Sequence, residues 1–148
     1  MIMKVSVKKI VEAYELLGNA KVSKLEDADK IKILKARKAM RPTANEYEAF
    51  EKDCQEAMKY EGFDADIEPY TVAHNKIRQG KGNEITEDEA KAYGRVMEYD
   101  MKVRKALYDE QNKEVEIEIE KLSEGSDIKL MSANDWTPNQ LDLIDMLL

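Results

Sequence analysis

A change of period near Asn112 constrains this chain more than any other feature. Before it, Thr86 to Asn112 reads as one long helix. Thr86 and Glu89 have the spacing of a capping box, in which the hydroxyl accepts from the N3 amide and the carboxylate reaches back. Glu87, Asp88 and Glu89 suit the positive end of the helix dipole. Glu87 with Lys91, Glu98 with Lys102 and Asp100 with Arg104 follow at i, i+4 in the favoured order. Tyr93, Val96, Met97, Val103, Leu107 and Tyr108 form an apolar stripe at helical spacing. Such a helix is about 39 Å long. Gly94 inside it costs about 1 kcal/mol against alanine, which marks a close crossing by another helix.

After Asn112 the period is two. Glu114, Glu116, Glu118 and Glu120 alternate with Val115, Ile117 and Ile119, which fits a strand with one buried face. A competing reading continues the helix through Val115, Ile119 and Leu122, but it strands Ile117 among glutamates. The turn-like Glu124 to Asp127 returns the chain into Ile128-Lys129-Leu130 as a second strand. The fold class expected is therefore mainly α: a bundle-like domain with a long helix at about 86–112 and a small β-hairpin at about 115–130.

The 148 residues suggest a single domain, 1–148. Net charge is −7, which argues against general affinity for nucleic acid or an anionic membrane. No apolar run is long enough to span a bilayer, and no signal peptide is expected from the basic start Met1-Ile2-Met3-Lys4, which leads into an amphipathic pattern. The single cysteine, Cys54, excludes an internal disulfide and fits a reducing cytoplasm.

Val7, Ile10, Val11, Tyr14 and Leu17 form a first helix capped by Ser6, with Gly18-Asn19 as a left-handed stop. Ser23 to Glu26 has capping-box spacing for a second helix, which Pro42 ends at Met40. Thr43 to Glu46 repeats the spacing for a third helix with Tyr47, Phe50, Cys54 and Met58 on one face. The second and third helices are expected to form a helical hairpin. From 61 to 85 the pattern fades into an irregular connecting segment, with room for a short helix at Pro69 to Ile77. Thr137, Pro138 and Gln140 open a last helix, where Trp136 and Leu141 have the spacing of a hydrophobic staple.

Catalytic, cofactor and metal signatures do not survive inspection. Asp64, Asp66 and Glu68 resemble the start of a calcium loop, but Pro69 and Asn75 stand where glycine and glutamate are required. His74 is the only histidine, and nothing near Cys54 would lower its pKa.

Two surfaces remain. Lys30, Lys35, Arg37, Lys38 and Arg41 make a candidate basic patch, with Ile31 and Leu34 lying among them. A helix with apolar residues on both sides is touched from two directions. Trp136, Leu141, Ile144, Leu147 and Leu148 are dense for so short a terminus. With Ile31 and Leu34 they form the candidate interface.

The ordering Val7-Lys8-Lys9-Ile10 to Leu17, then Leu25 to Met58, with the late Val115 to Ile119 and a Leu-rich end, resembles small uncharacterised proteins of tailed phages and prophages, found among structural and assembly genes. The likeness is one of size and layout over most of the chain. It implies a binding or assembly role in the cytoplasm of a bacterial host, with no enzymatic activity and no cofactor. The expected partner is another protein or a second copy. The alternative is a nucleic-acid-binding protein using the basic helix 30–41; an enzyme working through carboxylates ranks third.

Overall fold

The computed structural model describes residues 1–148. The elements are β1 (Ile2–Ser6), α1 (Val7–Gly18), α2 (Asp27–Ala57), α3 (Phe63–Arg78), a 3-10 turn (Gly82–Glu84), α4 (Glu87–Gln111), β2 (Glu114–Glu118), α5 (Ser126–Ala133) and α6 (Pro138–Leu147). The fold is mainly α with one small antiparallel pair of strands. The chain read from sequence as a single domain divides into two compact units, Met1–Ala49 with Glu110–Leu148, and Phe50–Asp109.

The first unit holds the hydrophobic core. β1 pairs antiparallel with β2 in the register Met3↔Ile117 and Val5↔Val115 on one face, and Ile2↔Glu118, Lys4↔Glu116 and Ser6↔Glu114 on the other. The alternation seen in β2 is thus a strand, as expected, and Val5 and Ile117 are buried. Its partner is different from the one expected. Ile128, Lys129 and Leu130 lie in α5, and the second strand is the amino terminus. Gly125, at φ +86°, precedes α5 in a left-handed conformation that only glycine adopts cheaply, and the chain enters a helix where a hairpin strand was expected. Ile10, Ala13 and Leu17 of α1 meet Ile33, Ala36 and Met40 of α2, with Ile119, Leu130, Ile144 and Leu147 completing the cluster. Ser6 caps α1, its hydroxyl accepting from Lys9 N at 3.3 Å. Neither Gly18 nor Asn19 is left-handed, so the stop expected there is absent; instead Asn19 closes the helix, its amide donating to Leu16 O at 3.3 Å and its Nδ2 to Glu15 O at 3.2 Å.

α2 runs unbroken through Pro42. The helical hairpin expected around that proline is absent, and neither Ser23–Glu26 nor Thr43–Glu46 forms a capping box: the helix begins at Asp27, and Thr43 lies inside it. A proline inside a helix removes one donor and frees the carbonyl four residues back. Here Pro42 and Lys38 are both exposed, so water can take that carbonyl. The buried stripe Ile33, Ala36, Met40, Ala44, Tyr47 runs along the opposite side and holds the helix together.

The second unit contains α3 and most of α4. Residues 61–85, expected to be irregular, contain a 16-residue helix. Pro69 obscured it; Ala65, whose carbonyl it leaves free, is exposed. The Thr86 box forms, with Glu89 N donating to Thr86 Oγ1 at 3.2 Å and Thr86 N to Glu89 Oε2 at 3.3 Å. The three i, i+4 ion pairs of α4 are also present. Gly94 marks no helix crossing: a Cβ there would meet nothing within 4 Å. Few large side chains are buried in this unit. Polar and aromatic contacts take their place, with Phe63 4.4 Å from Tyr99 and Tyr70 5.4 Å from Tyr93 between ring centroids.

Candidate docking surfaces

The candidate basic patch divides on inspection. Arg37 is spent within the first unit. Its Nε donates to Tyr14 O at 3.4 Å, and its guanidinium lies 4.2 Å from the Tyr14 ring centroid. Gly18 makes room for it, since a Cβ there would fall 2.6 Å from Arg37 Nη2. Lys30 pairs with Asp27 at 3.5 Å. Lys35, Lys38 and Arg41 are exposed and make no ion pair. They share the outward face of α2 with Ile31 and Leu34, at positions i, i+3, i+4, i+7 and i+10, a strip about 15 Å long. Ile31 is 51% exposed and Leu34 67%.

The candidate interface divides too. Ile144, Leu147 and Leu148 are buried in their own core, and Trp136 and Leu143 pack partly buried against it. Leu141 is half-buried. The terminus therefore does not offer Ile144, Leu147 or Leu148 to a partner. α6 is capped by Thr137, whose Oγ1 accepts from Gln140 N at 3.3 Å. Its far end is tied by Lys121 Nζ to Met146 O at 2.9 Å and Leu122 N to Leu148 O at 2.9 Å. Those bonds satisfy carbonyls that a helix end leaves without partners. Of the seven apolar residues named from sequence, Ile31 and Leu34 alone stand out as an exposed pair on one helix.

A groove of about 380 Å³, not anticipated from sequence, opens between α1 and α6. Leu16, Trp136 and Leu143 give it an apolar lining, and Glu12, Glu15, Asn19, Asn139 and Gln140 a polar one. Glu12 and Glu15 are exposed and unpaired. The charge of this unit is polarised along the chain. Residues 1–49 carry eleven Lys and Arg against seven Asp and Glu, whereas residues 110–148 carry three against ten.

Two buried acids are structural. Asp29, 1% exposed, accepts from Ser126 Oγ at 2.6 Å and from Ser123 N and Oγ at 3.1 Å each. The Ser126 bond, with those from Ser123, holds its carboxyl below the ordinary carboxylate value against the opposing effect of burial. Asp66 of the second unit takes both Nε and Nη2 of Arg95, at 2.8 and 2.9 Å, and the Tyr60 hydroxyl at 2.7 Å. Arg95 and Tyr60 lower its pKa to about 2, and burial, with the bond to Asp66, pushes Tyr60 up to about 12. This is the same Asp66 that resembled a calcium ligand; both its oxygens are taken. No group of three His, Cys, Asp or Glu side chains is placed to hold a metal ion. Cys54 is a half-buried free thiol, and His74 stacks on Tyr70 with centroids 5.9 Å apart. No helix is long and apolar enough to cross a membrane.

Compared with models of protein families, with curated proteins and with solved structures, the chain matches none.

Proposed function

We propose that this chain is a non-enzymatic protein–protein interaction module of an assembly, and that it receives its partner on the outward face of α2. The observation that carries the reading is the exposure of Ile31 and Leu34 beside three cations that have no partner in the chain. Burying a large aliphatic side chain contributes about 1.5–3 kcal/mol, so two left in water on one helix face form an adhesive patch. Lys35, Lys38 and Arg41 add selectivity for an acidic counterpart. Other exposed apolar pairs on helices lack three unpaired cations beside them: next to Met97 and Met101 on α4 the Glu98–Lys102 and Asp100–Arg104 pairs are closed within the helix, and Ile128 and Met131 on α5 have the single cation Lys129 between them.

The nucleic-acid alternative is weakened by Arg37, whose charge is already engaged. Three cations interleaved with two aliphatic side chains make a poor phosphate track. The resemblance in size and layout that the sequence bears to small tailed-phage proteins supports an assembly setting in a bacterial host cytoplasm. Site-specific photocrosslinking in cells tests the reading. A photoreactive residue at position 38 is expected to give a discrete protein adduct; a nucleic-acid adduct supports the alternative.

A further inference from the structure

We infer that the partner received by the outward face of α2 is a second copy of this chain, docked through the groove between α1 and α6. The inference rests on the reading of α2 as a docking face and names its occupant. The two surfaces are complementary in each respect the structure displays. One is convex, a helix face carrying Ile31 and Leu34 among Lys35, Lys38 and Arg41. The other is concave, with Leu16, Trp136 and Leu143 among Glu12 and Glu15. The aliphatic pair meets the indole and the leucines, while the lysines meet glutamates that have no other partner. An exposed aromatic groove with acids at its side is a poor receptor for a neutral or anionic segment, because the carboxylates would lose water for nothing.

Both surfaces lie on the unit formed by Met1–Ala49 and Glu110–Leu148, which is basic in its first segment and acidic in its second. They are different patches, so the contact is heterologous. Each copy presents one surface and receives on the other, and such contacts run on into rings or filaments instead of stopping at a symmetric dimer. With only two aliphatic anchors and exposed charges, the contact is weak and sensitive to salt.

Sedimentation of the full chain between about 10 µM and about 1 mM covers the range in which a small interface becomes populated. The weight-average mass is expected to rise with concentration at low salt, past that of a dimer, and to fall as salt is added. Two charge-reversed variants, Glu12→Lys/Glu15→Lys and Lys35→Glu/Lys38→Glu, are each expected to stay monomeric. Mixed together they retain one intact surface of each kind on different molecules, and their reversed surfaces are complementary to one another, so the mixture is expected to recover the rise of mass with concentration. All four positions are exposed, so both variants should fold. Glu61→Lys/Glu68→Lys, at exposed positions of the other unit, is expected to associate like the unaltered chain. A chain that remains monomeric at about 1 mM, the weak end of the range in which such a contact is populated, overturns the inference. So does a reversed variant that still self-associates, or a mixture that behaves as the sum of its parts. A monomeric chain that still crosslinks from position 38 to a different protein rejects self-docking and leaves the docking face standing.

Discussion

Ser126 Oγ donates to Asp29 Oδ2 at 2.6 Å, a contact that joins the start of α5 to the start of α2 across 97 positions of sequence. With two bonds from Ser123, it fixes how the carboxy-terminal third of the chain returns to the core. Replacing Asp29 with alanine leaves the Ser126 hydroxyl and the Ser123 amide without their acceptor. The expected cost is about 2–3 kcal/mol, read as a lower denaturation midpoint with an unchanged slope. The pH dependence has a definite sign. The folded pKa lies below the ordinary 3.8, so the contribution is fully present above that value and is lost as pH falls through the folded pKa. Acid unfolding of the Asp29→Asn variant should therefore show a shallower dependence on pH below that value. An unaltered profile contradicts the assignment.

Pro42 interrupts the backbone bonding of a 31-residue helix on its solvent side. Pro42→Ala restores the donor to the Lys38 carbonyl and should stabilise the protein by about 1–3 kcal/mol. Thermal melting is the measurement, and a lower midpoint would mean that the proline holds a bend the fold requires.

In the second unit, Arg95→Ala removes the guanidinium that takes both oxygens of Asp66. Amide exchange in α3 should quicken, whereas amides of α1 and α6 keep their protection; uniform loosening would contradict the division into units. Tyr60 supplies a separate check. Its folded pKa of about 12 lies above the ordinary 10, so stability is constant below pH 10 and declines as pH rises towards 12. Ultraviolet titration should show one tyrosine, absent from a Tyr60→Phe variant, ionising about two units late.

Leu147 has no exposure, and its loss leaves a cavity at the centre of the first unit. Leu147→Ala is expected to cost about 2–5 kcal/mol. Deleting residues 136–148 should lower the melting temperature and, because Trp136 and Leu143 line the groove, abolish the rise of mass with concentration. A truncated chain as stable as the full one would show that α6 contributes little to the core.

What could be read from sequence was local. Ser6, the Thr86–Glu89 and Thr137–Gln140 boxes and the ion pairs of α4 depend on residues three or four apart, and each formed. β2 was legible for the same reason, since alternation over five residues identifies a strand without its partner. The partner itself was hidden. Ile2 to Ser6 is too short to stand out, and its pairing with Glu118 to Glu114 spans most of the chain. Pro42 and Pro69 misled, because a proline inside a helix is tolerated where the carbonyl it frees can reach water. Asp29 carries no local signal, since its donors Ser123 and Ser126 lie 94 and 97 positions along the chain. For the docking surface, spacing put Ile31 and Leu34 among cations, but only the packing of Arg37 on Tyr14 showed which cations remain available. The groove beside Trp136 needs α1 and α6 side by side and has no sequence signature.

Photocrosslinking from position 38, made in parallel in the unaltered chain and in Ile31→Ser/Leu34→Ser, bears most directly on the α2 docking face. Exposed substitutions usually change stability by less than about 0.5 kcal/mol, so the two proteins should melt together. The account predicts a discrete protein adduct from the first and its loss from the second. An adduct of equal yield in both, an adduct to nucleic acid, or no adduct at all would contradict it.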